Sequence, residues 1–237
     1  MLRVERLNVF LESSHILRDV SLAVEPGTLV CLVGRNGAGK TTTLRTIMGY
    51  VRPASGRVEL EGESLTGLRT YEIAQRGVGY APEESGVFGD LSVAENVEIG
   101  TWTRRTARPA EARIEAAYTV FPKLRAYARR RGTRLSGGER KMLSIARALA
   151  LDPTLLLLDE PFEGLSPAIL PQISEGIAAI ARLGCGILVA ESNIHHVPPG
   201  TSRLYVMERG EIIYDGAPAA VTRDAAVMRV IAGAGEP

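Results

Sequence analysis

Near its start the chain alternates apolar and polar positions in short stretches: Leu2 to Val4, then Val20, Leu22 and Val24, then Leu29 to Cys31, with Pro26-Gly27 as a turn signal. Period-two alternation between turns predicts small antiparallel strands that form a β-layer. The run Val30 to Val33 then enters a glycine-rich turn, behind which Leu44, Ile47 and Met48 fall at helical spacing. Pro53-Ala54-Ser55-Gly56 turns into a second alternating stretch, Arg57 to Gly62, and Val78 to Ala81 reads as a short buried strand. From Leu91 to Leu149 strand patterns vanish. Val93, Val97, Ile114, Ala117, Val120 and Leu124, then Leu143, Ile145, Ala146 and Leu149, all recur at helical intervals. Leu155 to Leu158 and Gly186 to Val189 are continuous apolar runs, the mark of parallel strands buried on both faces. Between them Ile173, Ile177 and Ile180 mark a helix, so the order is strand, helix, strand. Leu204 to Met207 and Glu211 to Gly216 predict a hairpin, followed by a short polar-faced helix from Pro218. The sum is an α/β fold in one domain, 1–237. Its doubly wound core, with the β-layer, takes residues 1–88 and 150–237, and an inserted helical lobe takes 89–149.

Composition narrows the partners. The 237 residues are 45% hydrophobic, ample for a core, and the net charge is +1 with a pI near 7.8. No global electrostatic case exists for nucleic acid or an anionic membrane surface. Cys31 and Cys185 have neither zinc spacing nor the look of a disulfide framework, which suits a reducing cytoplasm. No apolar run approaches the ~20 residues that span a bilayer, and the first residues carry no cleavable apolar segment. Any work at a membrane then needs another protein as anchor.

The glycine-rich turn carries the chemistry. Gly34-Arg35-Asn36-Gly37-Ala38-Gly39-Lys40-Thr41-Thr42, between a strand and a helix, has the spacing of a phosphate-binding loop. Its backbone N–H groups and the helix N-terminus face phosphate oxygens, Lys40 adds a full charge, and Thr41 offers a hydroxyl to Mg²⁺. The strand ending in Asp159-Glu160 supplies the other half: Asp159 at the carboxyl edge of the sheet holds Mg²⁺, and Glu160 polarises a water for attack on the γ-phosphate. Ser136-Gly137-Gly138-Glu139 opens a helix with a serine cap, itself a second anion site.

In this order and spacing the three motifs resemble the ATP-binding cassette (ABC) ATPases over essentially the whole chain. The resemblance implies a P-loop NTPase core of RecA-like type and ATP and Mg²⁺ as cofactors. It also implies a cassette dimer in which Ser136 to Glu139 touch the nucleotide of the opposite subunit. Ser14 to Ser21, the loop followed by Ile47-Met48-Gly49, and Asp159-Glu160-Pro161 with Glu163-Gly164-Leu165 and Pro167 look more closely like the cassettes of branched-chain amino acid importers, with urea and short-amide importers similar. The partners so implied are a second cassette, identical or different, membrane-spanning permeases and an external substrate-binding protein, with the chain peripheral on the cytoplasmic face. Other members of the class are soluble ATPases of DNA repair or translation, weakened here by a single cassette without a long heptad insertion. A nucleotide-dependent dimer clamp with little turnover is a further alternative.

Several positions depart from the cassette pattern. Glu83 stands where a glutamine usually meets Mg²⁺, as branched-chain cassettes often have it. The aromatic that stacks on adenine falls near Leu11, where Phe10 either serves or belongs to the strand core. Ser166 replaces a common aspartate, and Ser192 occupies the place of the switch histidine. His195 and His196 read as surface residues, with Pro198-Pro199-Gly200 interrupting the helix expected there. Ser192 and Glu83 together predict slow hydrolysis at this subunit's own site. Arg104, Arg105, Arg108 and Arg129 to Arg131 read as a solvated face of the lobe or a contact for a membrane subunit.

Overall fold

A computed structural model of the chain describes residues 1–232. Two strands, β1 (Leu2–Leu11) and β2 (Ser14–Val24), form a long antiparallel pair. β3 (Leu29–Val33) leads through the glycine-rich turn into α1 (Lys40–Ile47). β4 (Ser55–Leu60), β5 (Glu63–Ser64), α2 (Thr70–Gln75) and β6 (Val78–Ala81) follow. Then come the helices α3 (Val93–Gly100), α4 (Ala110–Val120), α5 (Pro122–Ala126) and α6 (Gly137–Ala150). β7 (Leu155–Asp159), α7 (Leu170–Arg182) and β8 (Gly186–Glu191) return the chain to the core. β9 (Arg203–Glu208), β10 (Glu211–Gly216), α8 (Pro218–Val221) and α9 (Ala225–Ala232) finish it.

Two sheets result. The antiparallel layer has the order β2-β1-β4-β5, and the six-stranded core has the order β10-β9-β3-β8-β7-β6. In the core β9, β3, β8, β7 and β6 run parallel and β10 is the antiparallel edge. One expectation needs correcting here: Leu29 to Cys31 belongs to this parallel core and not to the antiparallel layer. Its residues are apolar and buried throughout, because both faces of β3 are covered.

Strand parity shows why. Val30, Leu32, Leu155, Leu157, Leu188, Tyr205 and Met207 pack on one side of the core sheet with α1 and the β-layer. Cys31, Val33, Leu156, Leu158, Ile187, Val189, Leu204 and Val206 pack on the other with α6, α7 and the lobe helices. Period-two side chains with apolar cover on both faces produce the uninterrupted Leu155 to Leu158 run. A fully buried Leu contributes ~1.5–3 kcal/mol, so these strands anchor the sheet whose carboxyl edge carries the chemistry.

Ser92 and Ser136 start α3 and α6 with capping boxes. In α6 the Ser136 Oγ accepts from the Glu139 amide (3.3 Å), and the Ser136 amide donates to Glu139 Oε2 (2.9 Å).

Candidate functional site

The sheet order places β8 between β3 and β7, so the turn after β3 and the acids after β7 meet at one edge. Gly39 precedes α1 with φ 113, and a Cβ there would lie 2.7 Å from Leu17 Cδ2. Gly34 likewise has the Met207 carbonyl 2.4 Å from where a Cβ would stand. The turn is pinned at its back: the Gly34 amide donates to the Glu191 carbonyl (3.1 Å), and the Gly210 amide to the Ala38 carbonyl (2.9 Å). Asn36, Gly37, Gly39, Lys40, Thr41 and Thr42 therefore line a cavity of about 340 Å³, which Leu11, Ile16, Glu83, Glu160 and Glu163 complete. Arg35 is exposed beside it, while Gly34 and Ala38 are buried supports that do not line it.

Lys40 is buried with its ammonium 3.1 Å from Glu160 Oε1, and it donates to the Gly34 carbonyl at 2.8 Å. Glu160 Oε2 accepts from the Ser192 amide (2.9 Å) and hydroxyl (3.1 Å). Ser192 thus reaches Glu160 and does not line the cavity. Glu160 also has φ 46, a left-handed backbone that a non-glycine residue adopts at a cost of roughly 1–3 kcal/mol.

Thr41 Oγ1 donates to Asp159 Oδ1 (3.0 Å), and the Tyr80 hydroxyl donates to Asp159 Oδ2 (3.1 Å). Burial raises the Asp159 carboxyl above its ordinary range, opposed by those two hydrogen bonds and reinforced by the charges of Glu160 and Glu83. Partial burial and the neighbouring Glu83 and Glu160 carboxylates raise Glu163 as well. A cation here relieves this crowding. Among the described residues no group of three His, Cys, Asp or Glu side chains forms a metal cage. Adjacent hydroxyl and carboxylate oxygens with further acids across the cavity fit Mg²⁺, which keeps waters and takes phosphate oxygens to complete its shell.

The remaining expectations meet mixed outcomes. Phe10 is 48% exposed and stacks on His15 with ring centroids 4.2 Å apart, so it is neither strand core nor part of this cavity. The β1–β2 pair has a register shift between Val9 and Phe10, and Leu11 and Ile16 supply apolar wall to the cavity. Within its own chain the Glu139 carboxylate accepts from the Ser136 amide and pairs with Lys123 (3.3 Å), which fixes the start of α6. Ser136 and Gly137 are exposed, Gly138 is buried against Ile169, and none of them lines the phosphate cavity of its own chain. His195 is exposed, whereas His196 is half-buried with Nδ1 3.4 Å from Glu191 Oε2, so only the first is a plain surface residue. Arg104 donates to the Asp152 carbonyl (2.6 Å) and Arg108 pairs with its carboxylate (3.3 Å), ties from the lobe to the core that the solvated-face reading did not include.

Two residues escaped the sequence. Lys141, buried in α6, donates to the Glu83 carbonyl (2.6 Å) and the Glu160 carbonyl (2.7 Å), and burial lowers its pKa. Glu191 is fully buried at the end of β8, and burial followed by the Glu160 charge pushes it up to about 9. The only available signal was position: Lys141 lies one turn into the helix after Ser136, and Glu191 ends an otherwise apolar strand.

The larger cavity is elsewhere, a groove of about 970 Å³ at the junction of core and lobe, whose lining includes Tyr50, Tyr71, Tyr80, Phe88 and Ile99. Tyr50, Tyr71 and Phe88 are exposed aromatic residues.

A phosphate loop and an acid pair at the carboxyl edge of a parallel core, with an antiparallel layer and a helical lobe, define a P-loop nucleotide hydrolase of cassette type. The family model described as ABC transporter matches residues 17–163, and the chain belongs to that family. It is 37% identical to the lipopolysaccharide export system ATP-binding protein LptB of Haemophilus influenzae, over 98% of this chain and 97% of that one. It is 38% identical to the high-affinity branched-chain amino acid transport ATP-binding protein BraG of Pseudomonas aeruginosa, over 90% and 91%. The crystal structure of an ABC transporter's ATP-binding cassette in its ADP conformation superposes with a TM-score of 0.83 at 26% identity, covering 98% of both chains. The protein is therefore an ATPase that uses ATP with Mg²⁺ to energise transport, and cassettes of this family dimerise and act with membrane permease components. Among the described residues no helix is long and apolar enough to cross a membrane.

Proposed function

We propose that this chain hydrolyses ATP at the cavity beside the phosphate loop to drive import of branched-chain amino acids, from the cytoplasmic face of the membrane. The observation that carries the hydrolytic part is the convergence of Lys40, Glu160 and Ser192 beside the Thr41–Asp159 pair. Asn36 to Thr42 cradle the phosphates and Lys40 takes the charge of the β- and γ-phosphates. Glu160 accepts the proton of the attacking water, and Ser192 orients Glu160. Thr41 and Asp159, with Glu83 across the cavity, hold Mg²⁺, which when bound neutralises charge on the phosphates. Ser136 to Gly138, exposed or adjacent to exposed backbone at the start of α6, serve the nucleotide of a second cassette. Residues 89–149 act as the lobe that carries this surface, and 1–88 with 150–237 as the core.

The groove between Tyr50, Tyr71 and Phe88 suits a short helix of a permease, which holds the chain at the membrane; a substrate-binding protein then acts from outside. The solute assignment is supported by the likeness to BraG together with Glu83 and the stretch Ser14 to Ser21. Lipid export is the second reading, favoured by the likeness to LptB at nearly full coverage. Urea and short amides are further candidate solutes within the import reading.

Glu160→Gln tests the site. It binds ATP, accumulates as a dimer in size-exclusion chromatography and hydrolyses slower by orders of magnitude; turnover at the wild-type rate removes Glu160 as the base. Reconstitution in proteoliposomes with amino acid permeases or with a lipid exporter's membrane subunits separates the two transport readings. Leucine uptake supports the first, and lipid extraction the second.

A further inference from the structure

Asp159 ends β7, and strand parity puts its side chain on the face that Leu155 and Leu157 share. In the neighbouring strand Tyr80 is paired in register with Leu157, two residues before the acid, and its ring packs against the same cluster. The phenol carries its hydroxyl as far as the strand end, where it donates to Asp159 Oδ2 at 3.1 Å. Thr41, at the start of α1, donates to the other oxygen, Oδ1, at 3.0 Å. The two donors lie on different sides. Thr41 lines the phosphate cavity, whereas Tyr80 lines the groove between core and lobe and not that cavity. One oxygen of Asp159 is thus held toward the phosphate side and the other away from it. The residue is 1% exposed, so these partners and not bulk water set its orientation.

A carboxylate held by one hydrogen bond can turn until both oxygens face a cation. Held at both oxygens from two separate elements, it turns only by breaking one of those bonds. This bears on which cation fits. Mg²⁺ keeps several waters and takes one or two carboxylates in a near-octahedral shell, whereas Ca²⁺ takes about six to eight oxygens and binds carboxylates through one or both of theirs. Glu83, Glu160 and Glu163 add further carboxylates to the cavity, so a freely turning Asp159 would complete an oxygen-rich set of the kind a larger cation takes.

We propose that Tyr80 is a positioning residue that sets the cation specificity of this site: by withholding Oδ2 it leaves Asp159 one oxygen to offer, which suits Mg²⁺ and disfavours Ca²⁺. This rests on the reading of Thr41 and Asp159 as the holders of Mg²⁺. Tyr80 acts through Asp159 alone. Its hydroxyl is the working part, since a phenylalanine ring packs in the same place and donates nothing.

The test uses the full chain and a fluorescent, non-hydrolysable ATP analogue. Its affinity is titrated in EDTA, against free Mg²⁺ and against free Ca²⁺, for wild type, Tyr80→Phe, Tyr80→Leu and Asp159→Asn, with thermal melting alongside. Tyr80→Phe leaves the affinity in EDTA unchanged and raises the Mg²⁺ concentration for half effect by about 10–100-fold, the usual result of removing a partner that orients a metal ligand. The Ca²⁺ concentration for half effect stays or falls, so discrimination between the two cations shrinks by at least the same factor. Tyr80→Leu, also without the hydroxyl, shows the same loss of discrimination. A Tyr80→Phe variant with the wild-type ratio of Mg²⁺ to Ca²⁺ affinity overturns the proposal, and so does an equal weakening of both cations, which is the mark of a loosened fold. A change confined to Tyr80→Leu assigns the effect to the packing of the ring and overturns it too. If Tyr80→Leu fails to fold, Tyr80→Phe decides alone. An Asp159→Asn variant that keeps the full Mg²⁺ effect overturns the cation-site reading itself, a separate failure because Tyr80 is intact in it.

Discussion

Replacing Lys141 by Met removes one ammonium and orphans two backbone carbonyls. The ammonium donates to the Glu160 carbonyl (2.7 Å) in a buried setting and to the Glu83 carbonyl (2.6 Å) in a partly buried one. An unsatisfied buried acceptor costs ~1–3 kcal/mol, and the partly exposed Glu83 carbonyl recovers a water. Methionine keeps the apolar stem packed and ends the cost of burying a charge, which offsets part of the loss. The net is about 1–3 kcal/mol of stability at neutral pH. At ~2–4 °C per kcal/mol for a chain of this size, the melting temperature falls by ~2–12 °C. The functional effect is larger, because the Glu160 carbonyl helps to hold a turn with φ 46 that carries the proposed base, so kcat falls by about tenfold or more while ATP affinity is kept. A pH signature accompanies it. Burial holds Lys141 below 10.5 in the folded chain, so just below that value the unfolded state binds more protons and this residue's contribution to stability rises with pH. Calorimetry across alkaline pH therefore shows wild type gaining on Lys141→Met as pH approaches 10.5. A variant that melts within a degree of wild type and keeps its kcat refutes the reasoning.

Ser136→Arg leaves ATP binding by the monomer unchanged and abolishes ATP-driven dimerisation, read by sedimentation in the Glu160→Gln background; loss of monomer binding would put Ser136 in the wrong site. Ser192→His raises kcat at saturating Mg-ATP, with one added positioned donor worth up to ~10²–10³, since the backbone amide that also holds Glu160 is retained. An unchanged kcat in a folded Ser192→His means that another group already does the work of the histidine.

What the sequence revealed follows from which physical signals are local. Leu155 to Leu158 and Gly186 to Val189 were legible because burial on both faces of a parallel strand leaves an unbroken apolar run. The phosphate loop was legible because its glycines answer a constraint of the backbone itself: only glycine tolerates φ 113 at Gly39 with Leu17 against it. Phe10 was not readable as exposed, because a shift in strand pairing between Val9 and Phe10 leaves no mark in the alternation. Glu139 has the residue type and spacing of both a signature motif and a capping box, and only the structure shows which oxygen goes where. Lys141 and Glu191 were invisible for a further reason. A lysine on a helix and an acid at a strand end are ordinarily solvated, and what buries them is packing between α6, β7 and β8, elements distant in sequence.

Glu160 shows what that packing accomplishes. Its left-handed backbone costs roughly 1–3 kcal/mol, and a buried carboxylate costs more unless paired. Such strain persists only where the surroundings over-determine it, and here they do from several sides. The Glu160 amide donates to the Ala190 carbonyl (2.9 Å), its carbonyl accepts from Lys141 (2.7 Å), and its carboxylate meets Lys40 and Ser192. The anchors come from β8, α6 and α1, so no one element sets the position of this carboxylate alone. A shift of α6 relative to the sheet acts on it through Lys141, and the same ammonium holds the carbonyl of Glu83 on the far wall of the cavity. Tyr80 makes a parallel link: its ring lines the groove between core and lobe while its hydroxyl holds Asp159 (3.1 Å). Force applied in that groove therefore reaches Asp159 through one rigid side chain, and force on the lobe reaches Glu160 through Lys141. Both routes end on adjacent residues, which is the geometry that joining a membrane partner's motion to hydrolysis requires.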